Sequence, residues 1–378
     1  MSNIQKHLSE AKVCTPPPVS EKLGERYSYQ NIDVLRFLGM IFIMGHHLYH
    51  IGFEGDYIFK DGWAWVDFYF ILTGIFTYQH YCLRQPLVNK QYGTEALWYT
   101  LHKFRRFFPA TFVAICSLYC AHSLGMLLKG NISGLIKLNG QAIFEVLYLS
   151  SSGLGKALVA PIWFLSAMFI VLPLIVYLIQ AHSEFWKIIA FLVPIVYFGY
   201  KGVNTDRTWP NDIIRAFACI SLGTMVYLLA NYVKISFKNR VSITLSVLEV
   251  LILLALSLFS TLNVGIQHME ILFVAICVIM ISQVTFSSYI NSKYTVMLRN
   301  ITLPMFVFHW NFGTLACILT SNMYIRTAIY YLGTILFSFL WLKISQFLRG
   351  KYNARTGSNY DYNKFRFLGQ RKSTLLTT

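Results

Sequence analysis

Residues 31–50 read NIDVLRFLGMIFIMGHHLYH, and this apolar run is long enough to cross a bilayer as one α-helix. It carries Arg36 near its start and His46, His47 and His50 near its end. A charged or titratable side chain at membrane depth is costly unless a partner or a water-filled cavity receives it. The stretch therefore predicts a membrane helix whose polar residues are held in the interior of a larger helical protein.

The composition of the whole chain also indicates a membrane protein. Of 378 residues, 56% are hydrophobic and 13% are charged, whereas a soluble domain carries about 25% charged residues. The net charge of +16 does not predict nucleic-acid binding, since the basic residues fall between apolar blocks and form no solvated patch. The seven cysteines are scattered without a CxxC pair, so we expect neither a disulfide framework nor a metal site.

Ten apolar segments are candidates for membrane spans by their length. They predict an all-α, polytopic membrane protein with about ten transmembrane helices. The fifth segment is short, contains Pro194 and gives the weakest signal. The segments cover residues 32–51, 63–82, 106–128, 160–180, 186–201, 212–232, 242–262, 268–288, 300–320 and 326–347.

Lysine and arginine concentrate in alternate connections between these segments. A cytoplasmic N-terminus places 24 of the 32 basic residues on the cytoplasmic side, as the positive-inside rule requires. We therefore predict a multi-pass protein of the cytoplasmic membrane with both termini in the cytoplasm.

Residues 1–30 are expected to be a disordered arm, 31–348 the membrane domain and 349–378 a basic tail near the lipid surface. The outer connection 129–159 contains an apolar piece that is too short to span, so it is expected to lie at the interface or to re-enter the membrane.

Arg36 and His47 are eleven positions apart, which places both on one stripe of an α-helix, about 16 Å apart along its axis. Imidazole suits proton transfer near neutral pH, so His47 is the candidate catalytic residue, with His50 near the same stripe and His46 pointing away. Asp67 opens the second segment and is expected to pair with His47 and orient its ring. Each of these residues has an alternative role. Arg36 could extend to lipid phosphate, His47 could be a hydrogen-bonded core histidine, and Asp67 could mark the boundary with water.

Three cations enter the third segment together in the stretch LHKFRRFFPATF, namely Lys103, Arg105 and Arg106. We expect them beside Arg36, where such groups would suit a phosphorylated ligand, although a charge run is also typical of a positive-inside anchor. Glu249 lies inside the seventh segment. It is a functional candidate by its depth, with protonation or pairing to an internal hydroxyl as the alternative.

Taken in order, these stretches resemble the acyltransferase-3 family of integral membrane O-acyltransferases. The likeness lies in Arg36 and His47 with ten residues between them, in VDFYFILTGIF against a VDLFFVLSGF-like stretch, and in FRRFFPATF against an Arg-x-x-Pro entry to the third span. It continues through PIWFLSAMFIV, RAFACISLG and LPMFVFHW and covers residues 31–345. Two departures are Lys103 in place of the first arginine of Arg-x-x-Arg, and Ala-Met after Ser166 where many relatives carry acidic residues.

The resemblance implies transfer of an acyl group from cytoplasmic acyl-CoA to a hydroxyl of a cell-surface glycan or its lipid-linked precursor. Acetyl is the default acyl group, no metal is expected, and a separate extracytoplasmic acyltransferase is a further expected partner beside membrane lipid. Carried over by position, His47 is the general base or a transient acyl acceptor, with Asp67 beside it. The donor-binding residues implied are Arg36, Lys103, Arg105 and Arg106, and the substrate-binding residues are Trp163, Arg215 and His309. For His309 a core hydrogen bond is the alternative.

Two other functions fit a basic polytopic chain. A transporter or flippase for a lipid-linked sugar would use Arg36, Asp67 and Glu249 as a substrate or proton path. A catalytically silent sensor or scaffold is the third hypothesis, against which the retention of Arg36 and His47 argues.

Overall fold

The computed structural model describes residues 29–54, 58–82, 91–153, 157–201, 210–238, 240–262, 266–290 and 292–356. Within these ranges the chain forms twelve α-helices and no β-strand. The helices are α1 (Gln30–His46), α2 (Trp65–Cys82), α3 (Tyr92–Leu128), α4 (Ile132–Val146), α5 (Trp163–Ala181), α6 (Ser183–Lys201), α7 (Asn211–Ser236), α8 (Ile243–Phe259), α9 (Ile266–Ser282), α10 (Lys293–Leu319), α11 (Met323–Ala328) and α12 (Thr334–Thr356).

Seven helical segments in the described ranges are long and apolar enough to cross a membrane. The short fifth segment with Pro194 is one of them, while α8 and α9 are shorter apolar helices. Every one of the ten predicted segments overlaps a helix, but the number of ten spans and the orientation of the termini stay predictions. The seven segments are Gln30–Ile51, Tyr92–Leu128, Ala160–Ala181, Ser183–Tyr200, Asn211–Ser236, Lys293–Leu319 and Met323–Leu348.

The predicted boundary between membrane domain and tail does not coincide with a helix end. α12 continues through Gly350 to Thr356, eight residues beyond position 348. The predicted arm, residues 1–30, lies outside the described residues up to position 28, and the predicted tail lies outside them from position 357.

Two glycines allow α2 and α7 to touch along their backbones. A Cβ atom added at Gly74 would collide with the carbonyl oxygen of Ile220, and one added at Gly223 would collide with that of Ile71. In a membrane, close backbone approach at small residues replaces the hydrophobic driving force that packs helices in water. The backbone contact at Gly74 and Gly223 therefore fixes α7 against α2.

The directions of the helices define two ends of the bundle. α1 and α10 run parallel, because Asp33 near the start of α1 lies 3.4 Å from Arg299, and His47 just after its end lies 3.1 Å from His309. α2 runs antiparallel to α1, with Trp65 at its start stacked on Phe42. We call the end where α1 begins the arginine end and the end where α1 finishes the histidine end.

The outer connection between the third and fourth predicted segments folds back beside α3. The turn at Gly130 has a φ of 66°, and the Asn131 side chain caps α4 by accepting from the Gly134 N–H at 2.9 Å. α4 then runs antiparallel along α3, since Tyr119 donates to Asn139 at 2.6 Å and the Tyr148 and Thr111 hydroxyls are hydrogen-bonded. Thr111 lies about 25 Å along α3 from its last residue, so α4 reaches far back along α3, and the choice between re-entry and the interface stays open.

Candidate active site

His47 occupies the junction between two kinds of helix. α1 ends at His46, and residues His47–Ile51 form a 3₁₀ turn that closes at Gly52 with a φ of 97°. A 3₁₀ turn has about three residues per turn where an α-helix has 3.6. The His47 N–H still donates to the carbonyl of Ile43, so His47 keeps the phase of α1, and the side chains after it leave that phase.

The ring of His47 is hydrogen-bonded to the ring of His309. His309 Nδ1 lies 3.2 Å from the carbonyl oxygen of Met305, and because a carbonyl can only accept, Nδ1 carries the proton and donates it. His309 Nε2 is then an acceptor, and His47 Nδ1 donates to it at 3.1 Å. In this neutral network His47 Nε2 keeps its lone pair, which is the arrangement that a general base requires.

Aromatic and histidine side chains surround this pair. Trp310 lies edge-on to His47 at a centroid distance of 5.5 Å, and its ring stacks on His50 at 3.8 Å. His50 Nε2 is 3.2 Å from the Thr314 hydroxyl, while His46 Nδ1 donates to the carbonyl of Lys60 at 2.6 Å. His50 is thus a neighbour of the His47–His309 pair, whereas His46 is hydrogen-bonded to the backbone at Lys60, outside the pair.

Asp67 forms a buried ion pair with Arg215, and this corrects the expected pairing with His47. The Asp67 carboxylate is fully buried and its Oδ1 accepts from Arg215 Nε. α2 and α7 run side by side from the histidine end, so the start of α7 delivers the guanidinium to the start of α2, whereas His309 on α10 is the hydrogen-bond partner of the His47 ring. A buried carboxylate is strongly stabilised by such a cation, and removing either member of the pair leaves an uncompensated charge.

Two indole rings enclose the Arg215 guanidinium. Its central carbon lies 5.1 Å from the Trp63 ring and 5.5 Å from the Trp163 ring, which are cation–π distances. Asp67, Cys219 and Glu270 offer potential metal-ligand atoms within 4.8 Å of one another. Arg215 supplies a positive charge at Asp67, one member of this group.

A second charged cluster lies at the arginine end. Asp33 accepts from Arg36 at 2.9 Å and lies 3.4 Å from Arg299, so it bridges α1 and α10. Arg106 interacts electrostatically with Asp33, and Lys103 with both Arg36 and Arg106. Three cations thus interact with one carboxylate and a fourth, Lys103, lies beside two of them, and the excess positive charge suits a ligand with several phosphate oxygens. Sequence reasoning missed Asp33 and Arg299, although the three-residue spacing of Asp33 and Arg36 was a usable signal.

A family model for an acyltransferase domain matches residues 29–351. The chain belongs to the acyltransferase-3 family. The match covers the whole helical region from α1 to the middle of α12, in agreement with the resemblance over residues 31–345. Comparison with curated protein sequences and with solved structures gave no match.

Within this membrane acyltransferase, Arg105 is separated from the other cations of its stretch. Lys103 packs over Tyr99 at 5.1 Å, whereas Arg105 is exposed and lies over the Trp98 ring at 5.8 Å. Arg105 is two positions from Lys103, which is about 200° around the helix, while Arg106 is three positions away and only about 60° around the helix from Lys103. Arg105 therefore lies apart from Lys103 around α3, and its place in the donor-binding set stays a prediction.

The remaining predicted residues fall into two groups. Trp163 begins α5 at the histidine end beside Arg215, so these two substrate-binding candidates lie together. His309 instead lies behind His47. Glu249 is buried on α8, which packs mainly on α9, and it belongs to neither of the two clusters.

Proposed function

We propose that this acyltransferase moves an acyl group, acetyl by default, from acyl-CoA to a hydroxyl of a cell-surface glycan or its lipid-linked precursor. The observation that supports this most strongly is the hydrogen-bonded pair of His47 and His309, which orients His47 with an unprotonated Nε2. Arg36 of the cation cluster lies near the start of α1, about 16 Å from His47 along the axis.

The donor would bind from the arginine end. Acyl-CoA has its phosphates at one end and its thioester at the other. The cation cluster lies at the start of α1 and His47 just after its end, so the phosphates could reach the cluster while the thioester lies near His47. Arg36, Lys103 and Arg106 can donate charge-assisted hydrogen bonds to phosphate oxygens, with Arg299 completing the positive field. Asp33 holds Arg36 and Arg299 in place between the two helices.

The acceptor would bind at the histidine end, which carries Arg215, Trp63 and Trp163. Indole faces suit the apolar faces of sugar rings, and a buried guanidinium can donate to a hydroxyl oxygen. Nη2 of Arg215 is buried and has no hydrogen-bond partner among the described residues, so one donor of this group is available to a ligand.

The reaction balances with one base. His47 Nε2 takes the proton of the acceptor hydroxyl as its oxygen attacks the thioester carbonyl carbon, which forms the new C–O bond. When the C–S bond breaks, the CoA sulfur leaves as thiolate and receives that proton from the imidazolium. The products are the O-acyl ester and free CoA. If His47 is instead the transient acyl acceptor, Nε2 attacks the thioester carbonyl carbon, the C–S bond breaks and CoA leaves as thiolate. The acceptor hydroxyl then attacks the acyl-imidazolium, the N–C bond breaks, and the hydroxyl proton passes to the thiolate.

Mass analysis of surface glycans, made with and without the gene, tests the function. We expect loss of a mass equal to one acyl group per modified residue while the polymer itself remains. Loss of the whole polymer would favour the flippase alternative, and an unchanged glycan profile would contradict the proposed acceptor class. Incubation of the purified protein with acetyl-CoA and a membrane glycan fraction should release free CoA thiol.

The location in the cytoplasmic membrane is part of the same proposal. It is supported by the seven candidate spans and by the basic residues of the predicted cytoplasmic segments. The donor end would then face the cytoplasm, where acyl-CoA is made, and a separate extracytoplasmic acyltransferase could receive the product for a further transfer.

A further inference from the structure

Arg326 belongs to neither cluster described above, yet it contacts both segments that carry the paired histidines. Its side chain extends from α11 to two backbone carbonyl oxygens. Nε donates to the carbonyl of Thr320 at 2.7 Å, and Nη1 donates to that of Ile51 at 3.1 Å. Thr320 immediately follows α10, which carries His309, and Ile51 is the last residue of the turn that begins at His47.

The two carbonyl groups are the kind that attracts a cation. The last carbonyls of a helix lack intrahelical partners and carry partial negative charge. A guanidinium is planar, permanently charged and presents several N–H groups in a fixed fork, so one arginine can satisfy two such carbonyls at a set separation. Arg326 thereby links the carboxyl end of the His47 turn to the carboxyl end of α10.

Two neighbouring residues support this link: Gly52 leaves space for the Arg326 guanidinium, and Cys317 contacts the same turn. Gly52 follows Ile51 with a φ of 97°, and a Cβ atom there would lie 3.0 Å from Arg326 Nη1. The thiol of Cys317 on α10 lies 3.6 Å from the carbonyl oxygen of His50. The turn is therefore held against α10 at consecutive residues, three and four positions after His47.

We propose that Arg326 is a positioning residue of this acyltransferase, which sets the approach of the His47 and His309 rings by linking the two segments that carry them. Its effect on activity rests on the proposed function, whereas its effect on the turn does not. Arg326 touches neither ring, so its loss should alter the alignment of the base more than the binding of the donor.

The test compares Arg326→Gln with wild type in the full-length purified protein, with acetyl-CoA as donor and a membrane glycan fraction as acceptor. We expect kcat to fall at least tenfold while the KM for acetyl-CoA stays within twofold. Amide hydrogens in peptides covering residues 47–54 should exchange at least tenfold faster, with no change over residues 30–46. Arg326→Lys should give an intermediate kcat, because an ammonium group reaches one carbonyl at a time.

Lys129→Gln is the matched control, because it removes an exposed positive charge from the same end of the bundle. An Arg326→Gln protein with wild-type kcat and exchange would overturn the inference, and so would a raised KM for acetyl-CoA at unchanged kcat. If Arg326→Gln does not fold, the same two measurements on Arg326→Lys decide. If wild type releases no CoA thiol, the proposed function fails, while the exchange measurement still tests the link.

Discussion

His309 is the residue whose role the structure narrows most. The sequence left it open between substrate binding, which the family resemblance implied, and a core hydrogen bond, and its ring lies hydrogen-bonded behind His47. The Nδ1–H of His309 is fixed by the carbonyl of Met305, so the other ring nitrogen can only accept from His47. The pair therefore resembles the base and orienting residue of a catalytic triad, with a neutral imidazole in place of the carboxylate.

Replacement of His309 should show whether this residue orients the His47 ring. His309→Leu removes the acceptor for His47 Nδ1–H, and we expect kcat for acyl transfer to fall by about 10- to 100-fold, within the range of general-base effects. His309→Gln offers an amide oxygen near the position of Nε2 and should recover part of that loss. Steady-state kinetics with acetyl-CoA measure both variants, and equal kcat values for Leu and Gln would contradict the orienting role.

The charged residues show which part of the site a sequence can predict. Arg36, Lys103 and Arg106 were expected together because basic residues at the starts of neighbouring spans fall at one membrane face. The partner of Asp67 could not be found this way, because Arg215 is 148 positions away and only the packing of α7 on α2 brings them together. The sequence predicts which side chains share one face of a helix. It does not predict an ion pair between two helices that are distant in sequence, because that pair depends on which helices pack together.

At the scale of elements, the glycine contact between α2 and α7 should control how firmly the Asp67–Arg215 pair is held. Gly74→Ala places a methyl group against the backbone of Ile220, which cannot yield as a flexible side chain would. We expect a clear drop in the detergent melting temperature, of the size caused by overpacking of about 1–3 kcal/mol.

Gly125→Ala is the matched control for that substitution. A Cβ atom at Gly125 on α3 meets nothing within 4 Å. Alanine is the better helix former by about 1 kcal/mol, so this variant should melt at the same temperature as wild type or higher. Equal melting temperatures for Gly74→Ala and wild type would contradict the close contact of α2 with α7.

The helices themselves were largely predictable, because an apolar run of about 20 residues is a strong signal for a membrane helix. Two local features were not. The change from α-helix to 3₁₀ turn at His47 depends on contacts with α10 and Arg326, which hydropathy does not encode. The return of α4 along α3 depends on pairs such as Tyr119 with Asn139, where the sequence left interface and re-entry open.

Across the whole molecule, two sites lie at opposite ends of one bundle, and their separation predicts distinct kinetic effects. Arg106→Gln removes a cation from the cluster around Asp33, and we expect the KM for acetyl-CoA to rise about tenfold, which corresponds to about 1.4 kcal/mol. Arg105→Gln removes an equal charge from the exposed face beside Trp98 and should leave the KM within twofold. Equal effects of the two substitutions would contradict the assignment of the donor to the cluster.

The proposed function depends on His47 as the group that moves the proton or carries the acyl group. The most direct measurement is the rate of acyl transfer from acetyl-CoA by purified His47→Gln protein, with the exposed His182→Gln as control. We predict that His47→Gln remains folded and binds acetyl-CoA like wild type but transfers at least about a hundredfold more slowly, while His182→Gln transfers at the wild-type rate. Wild-type transfer by folded His47→Gln protein would contradict the account.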